Sequence, residues 1–394
     1  YITAEGPSVV ELIKSDLTTD RGSFKQGDPP LSTLANHLLE GRTILESARG
    51  NAPDNVLWWT RDDGVLLGMT YVAAAEVVGW HRHDTLMGDF ESVANIPSLP
   101  RTDTYFSIKR NLNNVTKRHF ERFDQRDFID VEDAVFLDSS TKFDDAHPVS
   151  TKQEKTINLE FFIAAGHPFL VGDEFDVTHR IRTAEGITNG LFHRRRLAVH
   201  SVGADSFVVR DLDNVIVNGA LAFDEVDTRT LVIHRCVTSI EVSPHLAGVK
   251  VGLLLDGNEG VDQVVGRGGT LTFASKHSRI VVGLPIEADL ETLPPDAPGG
   301  PFESTQGMQM RAHSAVLTIN NTLGLKIGPR PDALQDIRWA KTIPLKYGSA
   351  LELRSGRIHT NVSPEWGEGK IFLRQSSHLP AHILSIRTQF EVDE

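Results

Sequence analysis

The sequence reads as a mainly β, multi-domain chain of blade-like antiparallel meanders, propeller-like or sandwich, with a small inserted β-barrel-like domain. Three observations predict this. The 32 glycines and 19 prolines are spread along 394 residues, as many short strands joined by turns require. Turn signals recur between apolar stretches, at Asp63-Gly64, Asn113-Asn114, Asp256-Gly257 and Gly268-Gly269. Helical spacing of apolar residues is rare, and no part reads as doubly wound α/β.

The first domain spans residues 1–124. Its one helical signal is "LSTLANHLLEGR", with Leu31, Leu34, Leu38 and Leu39 at helical spacing, Pro29 and Pro30 before them and Gly41 as a stop. Trp58 and Trp59 then lie in an apolar run ending at Asp63-Gly64, a hairpin signal. "VLLGMTY" is the second strand and "EVVGWHRH" the third. "FESVANIP", a proline-bearing turn, "TDTYFSIKRN", the Asn113-Asn114 turn and "VTKRHFERF" make a second meander.

Residues 125–240 hold a polar connector, to about residue 155, and the small inserted β domain. The connector is acidic, with Asp124, Asp127, Asp130, Glu132, Asp133, Asp138, Asp144 and Asp145. "INLEFFIAAGHPFLVGDEFDVTHR" reads as two strands around Gly172-Asp173, continued by "NGLFHRRRLAVHSV" and "DSFVVRDLDN". Residues 241–394 form a C-terminal β domain, with an acidic, proline-rich surface loop over about 286–310 that suits contacts with other chains.

A net charge of −13 argues against a protein that coats nucleic acid, because an acidic surface repels phosphate. Cys236 is the only cysteine, so an internal disulfide and a Cys-rich zinc site are excluded. The best apolar run, Phe161 to Gly172, is too short to span a bilayer and contains His167 and Pro168. The first residues lack the basic start and apolar run of a signal peptide. A start at Tyr1, mid-pattern, reads as a processed product or a fragment of a longer polypeptide.

Several stretches invite a chemical reading. His81 and His83 are spaced i, i+2 and share one face of a strand, which would begin a metal site. A catalytic zinc needs a third protein ligand, and no second His pair is near. The bland reading has Trp80 packed inward and the His-Arg-His side chains hydrogen-bonding neighbouring strands or a turn. "DGNEGVDQVVGRGG" resembles a calcium loop but has Gly260 at the fifth position and Arg267 where a bidentate glutamate belongs, so it reads as a hairpin. "HRRR", His193 to Arg196, reads as a solvated strand edge, with an inter-subunit salt bridge as the minority reading. His234 and Cys236, at i, i+2 on a strand, do not by themselves make a nucleophile–base pair. No catalytic, cofactor-binding or metal residue stands out, so no cofactor is expected.

The order of the pieces is more specific. "LSTLANHLLEGRTI", "PDNVLWWTRDDGVLLGMTY", "EVVGWHRHDT", "FESVANIP" and "IKRNLNNVTKRHFERF" follow one another between Leu31 and Phe123. This stretch resembles the tail tubular protein B, or nozzle, family of short-tailed double-stranded DNA bacteriophages. The words that carry it are Trp58, Asp63, Gly64, Gly68, Tyr71, Gly79, Trp80, His81, Arg82, His83, Glu121 and Arg122, a structural signature. "GVKVGLLLDG", "RIVVGLPI", "NNTLGLKIG" and "LPAHILSI" look like the same family's ending. The region around "HPFLVGDEF" is similar to a small β domain inserted in phage tail proteins.

The resemblance implies a virion tail component without catalytic activity, made in the host bacterial cytoplasm. It implies a ring of subunits, usually six, that docks other tail proteins such as the adaptor and fibres. Double-stranded DNA would pass through it without sequence-specific contacts. Two other classes stay open at this point. A receptor-binding or fibre-type protein would be a trimer with repetitive sequence, and a β-propeller glycan-active enzyme would show converging carboxylates.

Overall fold

In the computed structural model, the structure describes residues 31–72, 77–98, 100–124, 126, 128–154, 159–163, 166–183, 186–189, 193–216, 229–296, 305, 307–337 and 351–393. Nearly all regular structure is β, in antiparallel sheets. The chain divides between Gln125 and Arg126 into two compact units.

The described part of the first unit begins with a 3-10 helix, Thr33–Leu38, followed by strands β1 (Ile44–Gly50), β2 (Val56–Arg61), β3 (Leu66–Val72) and β4 (Val77–His83) paired in that order. A second meander follows: β5 (Gly88–Ser98), β6 (Arg101–Leu112) and β7 (Val115–Arg122). The β2–β3 hairpin turns at Asp63-Gly64, where Gly64 has φ 78° and Arg61 N donates to Val65 O at 2.9 Å. At the β6–β7 turn both Asn113 (φ 51°) and Asn114 (φ 62°) are left-handed, the geometry a twisted two-residue hairpin needs. Pro97 lies inside β5 rather than in a turn. An outer strand tolerates it, because one side of its backbone has no ladder to complete.

Both faces of the first sheet are covered. Trp58 and Leu66 meet Phe90, Val93, Phe106 and Ile108 of the second sheet in one core, so the two meanders pack as a sandwich. Trp59, Leu67 and Met69 meet Leu39, Leu31 and Leu38 on the other side. The helix is shorter and tighter than the leucine spacing predicts, and Ala35 breaks its helical geometry at φ −119°. Two side chains from the sheet capture carbonyls beside it: Trp80 Nε1 donates to Leu31 O at 2.9 Å and Arg61 Nη1 to Leu38 O at 2.6 Å. Docking on the sheet outweighs the weak propensity of one short turn.

In the second unit the stretch expected as a polar connector is structured. A 3-10 turn, Val131–Asp133, precedes β8 (Asp138–Asp144). The chain then forms β9 (Ala146–Glu154), β10 (Leu159–Ile163), β11 (Glu174–Thr183), β12 (Gly186–Asn189), β13 (Arg195–Val202), β14 (Ser206–Arg210) and β15 (Arg229–Arg235). The pairings β11–β13–β14–β10–β9–β15, closed by β15–β11, make a six-stranded barrel, and β12 extends from β11. Its interior is filled by Phe162, Phe169, Phe175, Val177, Leu197, Val199, Phe207, Val209 and Ile233. β10 and β11 are not hairpin partners, contrary to the Gly172-Asp173 expectation. Gly172 and Asp173 instead lie against β13, with Gly172 N donating to Val199 O and Val199 N to Asp173 O.

The barrel is an insertion. β16 (Val237–Glu241), β17 (Lys250–Leu255), β18 (Asn258–Glu259), β19 (Gln263–Val264), β20 (Thr270–His277) and β21 (Arg279–Leu284) follow it, and β21 pairs back onto β8. β22 (Ala288–Glu291), β23 (Met310–Thr322), β24 (Leu325–Gly328), β25 (Gln335–Asp336), β26 (Arg354–Asn361), β27 (Phe372–Gln375) and β28 (Ile383–Val392) complete the chain. They form the sheets β22-β27-β24-β25 and β26-β23-β28, which share a core of Ala315, Leu317, Ile319, Ile327, Ile371 and Leu373. Within the region expected as a loop, residues 288–291 are therefore a strand. Residues 297–304 and 306 of that region lie outside the described residues. Among the described residues no helix is long and apolar enough to cross a membrane.

Phe175 is fully buried among Phe162, Phe169 and Phe207. Phe175→Ala is expected to cost about 3–5 kcal/mol through the cavity it leaves. Urea unfolding measured against the parent chain checks this.

Candidate functional site

The Trp- and His-rich stretch resolves by strand alternation. Trp58 of β2, Gly68 of β3 and His81 of β4 stand in one cross-strand row. The His81 ring lies over Gly68, where a Cβ would come within 2.0 Å of His81 Cε1, and reaches Trp58 at 5.4 Å between centroids. His83, on the same face, lies 5.4 Å from Trp58 and 5.9 Å from Phe123. His81 Nδ1 and His83 Nε2 face each other at 2.7 Å, so the nitrogens that would converge on an ion are hydrogen-bonded together. Among the described residues no group of three His, Cys, Asp or Glu is placed to hold a metal. Trp80 points to the opposite face and stacks on Trp59 at 5.1 Å.

The other signature residues serve the same unit. Asp63 forms a bidentate pair with buried Arg61, also lies near Arg42, and is held below the usual carboxylate range chiefly by the Arg61 hydrogen bond. The Gly64 backbone lies so close to Asp89 that a Cβ would sit 2.6 Å from Asp89 Cβ. Tyr71 borders the Trp59 cluster, and its N–H donates to Asn55 O. Glu121 grips the fully buried Arg110 with two 2.6 Å hydrogen bonds, and Arg110 Nη1 donates to Leu86 O. Arg82 pairs with Asp84 at the surface, and Arg122 lies near the largely buried Asp103 and the exposed Asp124. Gly79 has open space around it.

The densest chemistry lies in the second unit, and sequence reasoning missed it. Residues His193 to Arg196 are not a solvated edge. Arg194 bonds Glu132 (2.8 Å) and approaches Asp130 (3.5 Å), and His193 lies 3.4 Å from Asp130. Arg180, from β11, also pairs with Asp130. Burial pushes the Asp130 carboxyl up, but His193, Arg180 and Arg194 outweigh it and hold it at about 2. Buried Arg279 of β21 joins the same acids, 3.2 Å from Asp133 and 3.8 Å from Glu132. Two acids of the supposed connector, Asp130 and Glu132, thus meet His193 and Arg194 within one chain, while Arg195 pairs with Asp211.

Arg196 leads into a second cluster. It forms a bidentate pair with Asp176 (2.9 and 2.7 Å) and reaches Asp256 at 3.2 Å. Asp256 sits in the β17–β18 turn with φ 49° and turns its carboxylate inward. Its Oδ1 accepts from the N–H of Ser278 (2.8 Å) and Arg279 (2.9 Å), and its Oδ2 meets His277 Nδ1 at 2.9 Å. Burial raises this carboxyl, but those hydrogen bonds prevail and hold it at about 2. The resemblance to a calcium loop ends here, because this carboxylate is already committed.

Two hydroxyl–imidazole–carboxylate chains result. Asp144 Oδ1 meets His234 Nδ1 at 2.6 Å, and His234 Nε2 meets Thr178 Oγ1 at 2.9 Å. Asp256 Oδ2 meets His277 Nδ1, and His277 Nε2 meets Ser275 Oγ at 2.9 Å. Cys236 belongs to neither. It is buried, its thiol points toward Asp176 Oδ2, and burial pushes its pKa well above the ordinary thiol value. The hint in the sequence was Ser275-x-His277, since the matching acid lies about twenty residues earlier, in the β17–β18 turn.

No family model matches the chain, and no curated protein matches it.

Gly68→Ala is expected to destabilise by about 1–3 kcal/mol, because the His81 ring must move, whereas Gly79→Ala stays within about 0.5 kcal/mol. Tryptophan fluorescence during urea unfolding separates the two. Asp130 and Asp256 have folded values of about 2 against an ordinary 3.8. Their contribution is therefore complete above about pH 4 and lost as the pH falls toward 2. Asp256→Asn is expected to cost about 2 kcal/mol at pH 7 and to flatten the acid limb of a stability–pH profile.

Proposed function

We propose that the chain is a structural protein of a short-tailed phage tail, one subunit of the ring-shaped nozzle through which DNA leaves the virion. The observation that carries this reading is the ordered series of sequence words between Leu31 and Phe123. Its support from physics is that the most distinctive words sit at packing positions. Trp58, Gly68 and His81 interlock across three strands, and Glu121 neutralises buried Arg110. Such residues are constrained by architecture, so a signature made of them marks a fold rather than a reaction.

The net charge of −13 suits a passage that must not grip its cargo, since each Lys or Arg contact to phosphate adds to affinity. A ring requires a heterologous interface that closes on itself. The acidic strand β22, exposed along its length, is one surface available for contact with neighbouring subunits or docked tail proteins such as the adaptor and fibres.

Mass photometry and negative-stain imaging of the purified chain test the proposal. The expected result is a particle of about six subunits with a central hole. A monomer at all concentrations tested would overturn it.

A further inference from the structure

A serine becomes a nucleophile when a base takes its proton and a third group fixes that base. Ser275, His277 and Asp256 meet this requirement. The Asp256 carboxylate can only accept, so the proton on His277 resides at Nδ1, leaving Nε2 to accept from Ser275 Oγ. Asp256 is itself immobilised by two backbone N–H groups and by Ser278 Oγ at 2.9 Å. The imidazole is thus oriented by a buried, rigidly held anion, while Ser275 at the far end of the chain is exposed.

The backbone presents Ser275 to solvent. β16 and β20 pair at Val237↔His277 and next at Ser239↔Thr272, so residues 273–276 bulge out of the ladder. Bulges re-aim side chains at sheet edges. The Thr178–His234–Asp144 chain has the same connectivity, but its hydroxyl is β-branched and only half-exposed on a barrel strand. Cys236 sits at i, i+2 from His234, yet its thiol is buried and kept protonated. Of these three, Ser275 alone combines an oriented base with access for a reagent.

We propose that Ser275 is a nucleophile activated by His277 and Asp256 and that it is acylated by activated carboxylic esters. Ser275 Oγ attacks the ester carbonyl carbon, and its proton passes to His277 Nε2. The carbon–oxygen bond to the leaving group breaks, and the departing oxygen takes that proton. Water then attacks acyl-Ser275 by the reverse sequence, releases the acid and restores the serine. This activity goes beyond the tail-ring proposal and does not depend on it.

The test is covalent labelling of the full chain with a fluorophosphonate and with p-nitrophenyl acetate, followed by peptide mass mapping. Ser275 is expected to take the label about 100-fold faster than exposed Ser355. Ser275→Ala should abolish label in that peptide. His277→Ala should slow it to the Ser355 rate, and added imidazole should restore part of the rate in this variant alone. His277→Gln repeats the measurement if His277→Ala does not fold. Equal rates at Ser275 and Ser355 in the parent chain, or undiminished labelling in a folded His277 variant, would overturn the proposal.

Discussion

The second unit depends on a seam of paired charges around Asp130, Asp176 and Asp256. A closed barrel interrupts the body between β8 and β16, and its own hydrophobic core faces inward. Burial of apolar surface inside the barrel therefore does little to fasten it. The fastening comes from Arg180, Arg194 and Arg196 on the barrel, which meet Asp130, Glu132 and Asp256 outside it, and from Lys276 of the body, 2.9 Å from Glu174 on the barrel. Arg279 reaches Glu132 and Asp133 from β21. Paired buried charges cost desolvation and return it only when the geometry is good. Their directionality is what they add, because an arginine fork accepts a carboxylate in few orientations.

The first unit solves a different problem with apolar and aromatic groups. A four-stranded sheet covered on both faces cannot follow a simple inside–outside alternation. Adjacent tryptophans meet this need directly, since Trp58 and Trp59 point to opposite sides and each anchors a separate cluster. His81 and His83 extend the Trp58 side, and Trp80 extends the other.

The class of fold was legible because turn chemistry is local. Gly64, Asn113 and Asn114 carry their left-handed conformations in their own residue types. What stayed hidden was long-range. The acidic stretch before β8 looked like a solvated linker because its arginine partners lie about 50–60 residues later. The Ser275–His277–Asp256 chain was unreadable for the same reason: the turn at Asp256 and the bulge of β20 converge only after β17 and β21 pair. The leucine spacing described a contact face at Leu31, Leu38 and Leu39 but not a helix length, since side chains of the sheet capture the carbonyls at both ends.

The barrel leaves the body at Asp145 and returns at Arg235, and Arg235 N donates to Asp145 O at 3.0 Å. Its entrance and exit are therefore a single doorway. A module attached this way can be acquired, exchanged or lost in evolution without moving either flanking strand, since a short bridge would reconnect the body. The body's fold and the barrel's surface can then diverge at different rates within one gene, and the charged seam is the part that both must keep in common.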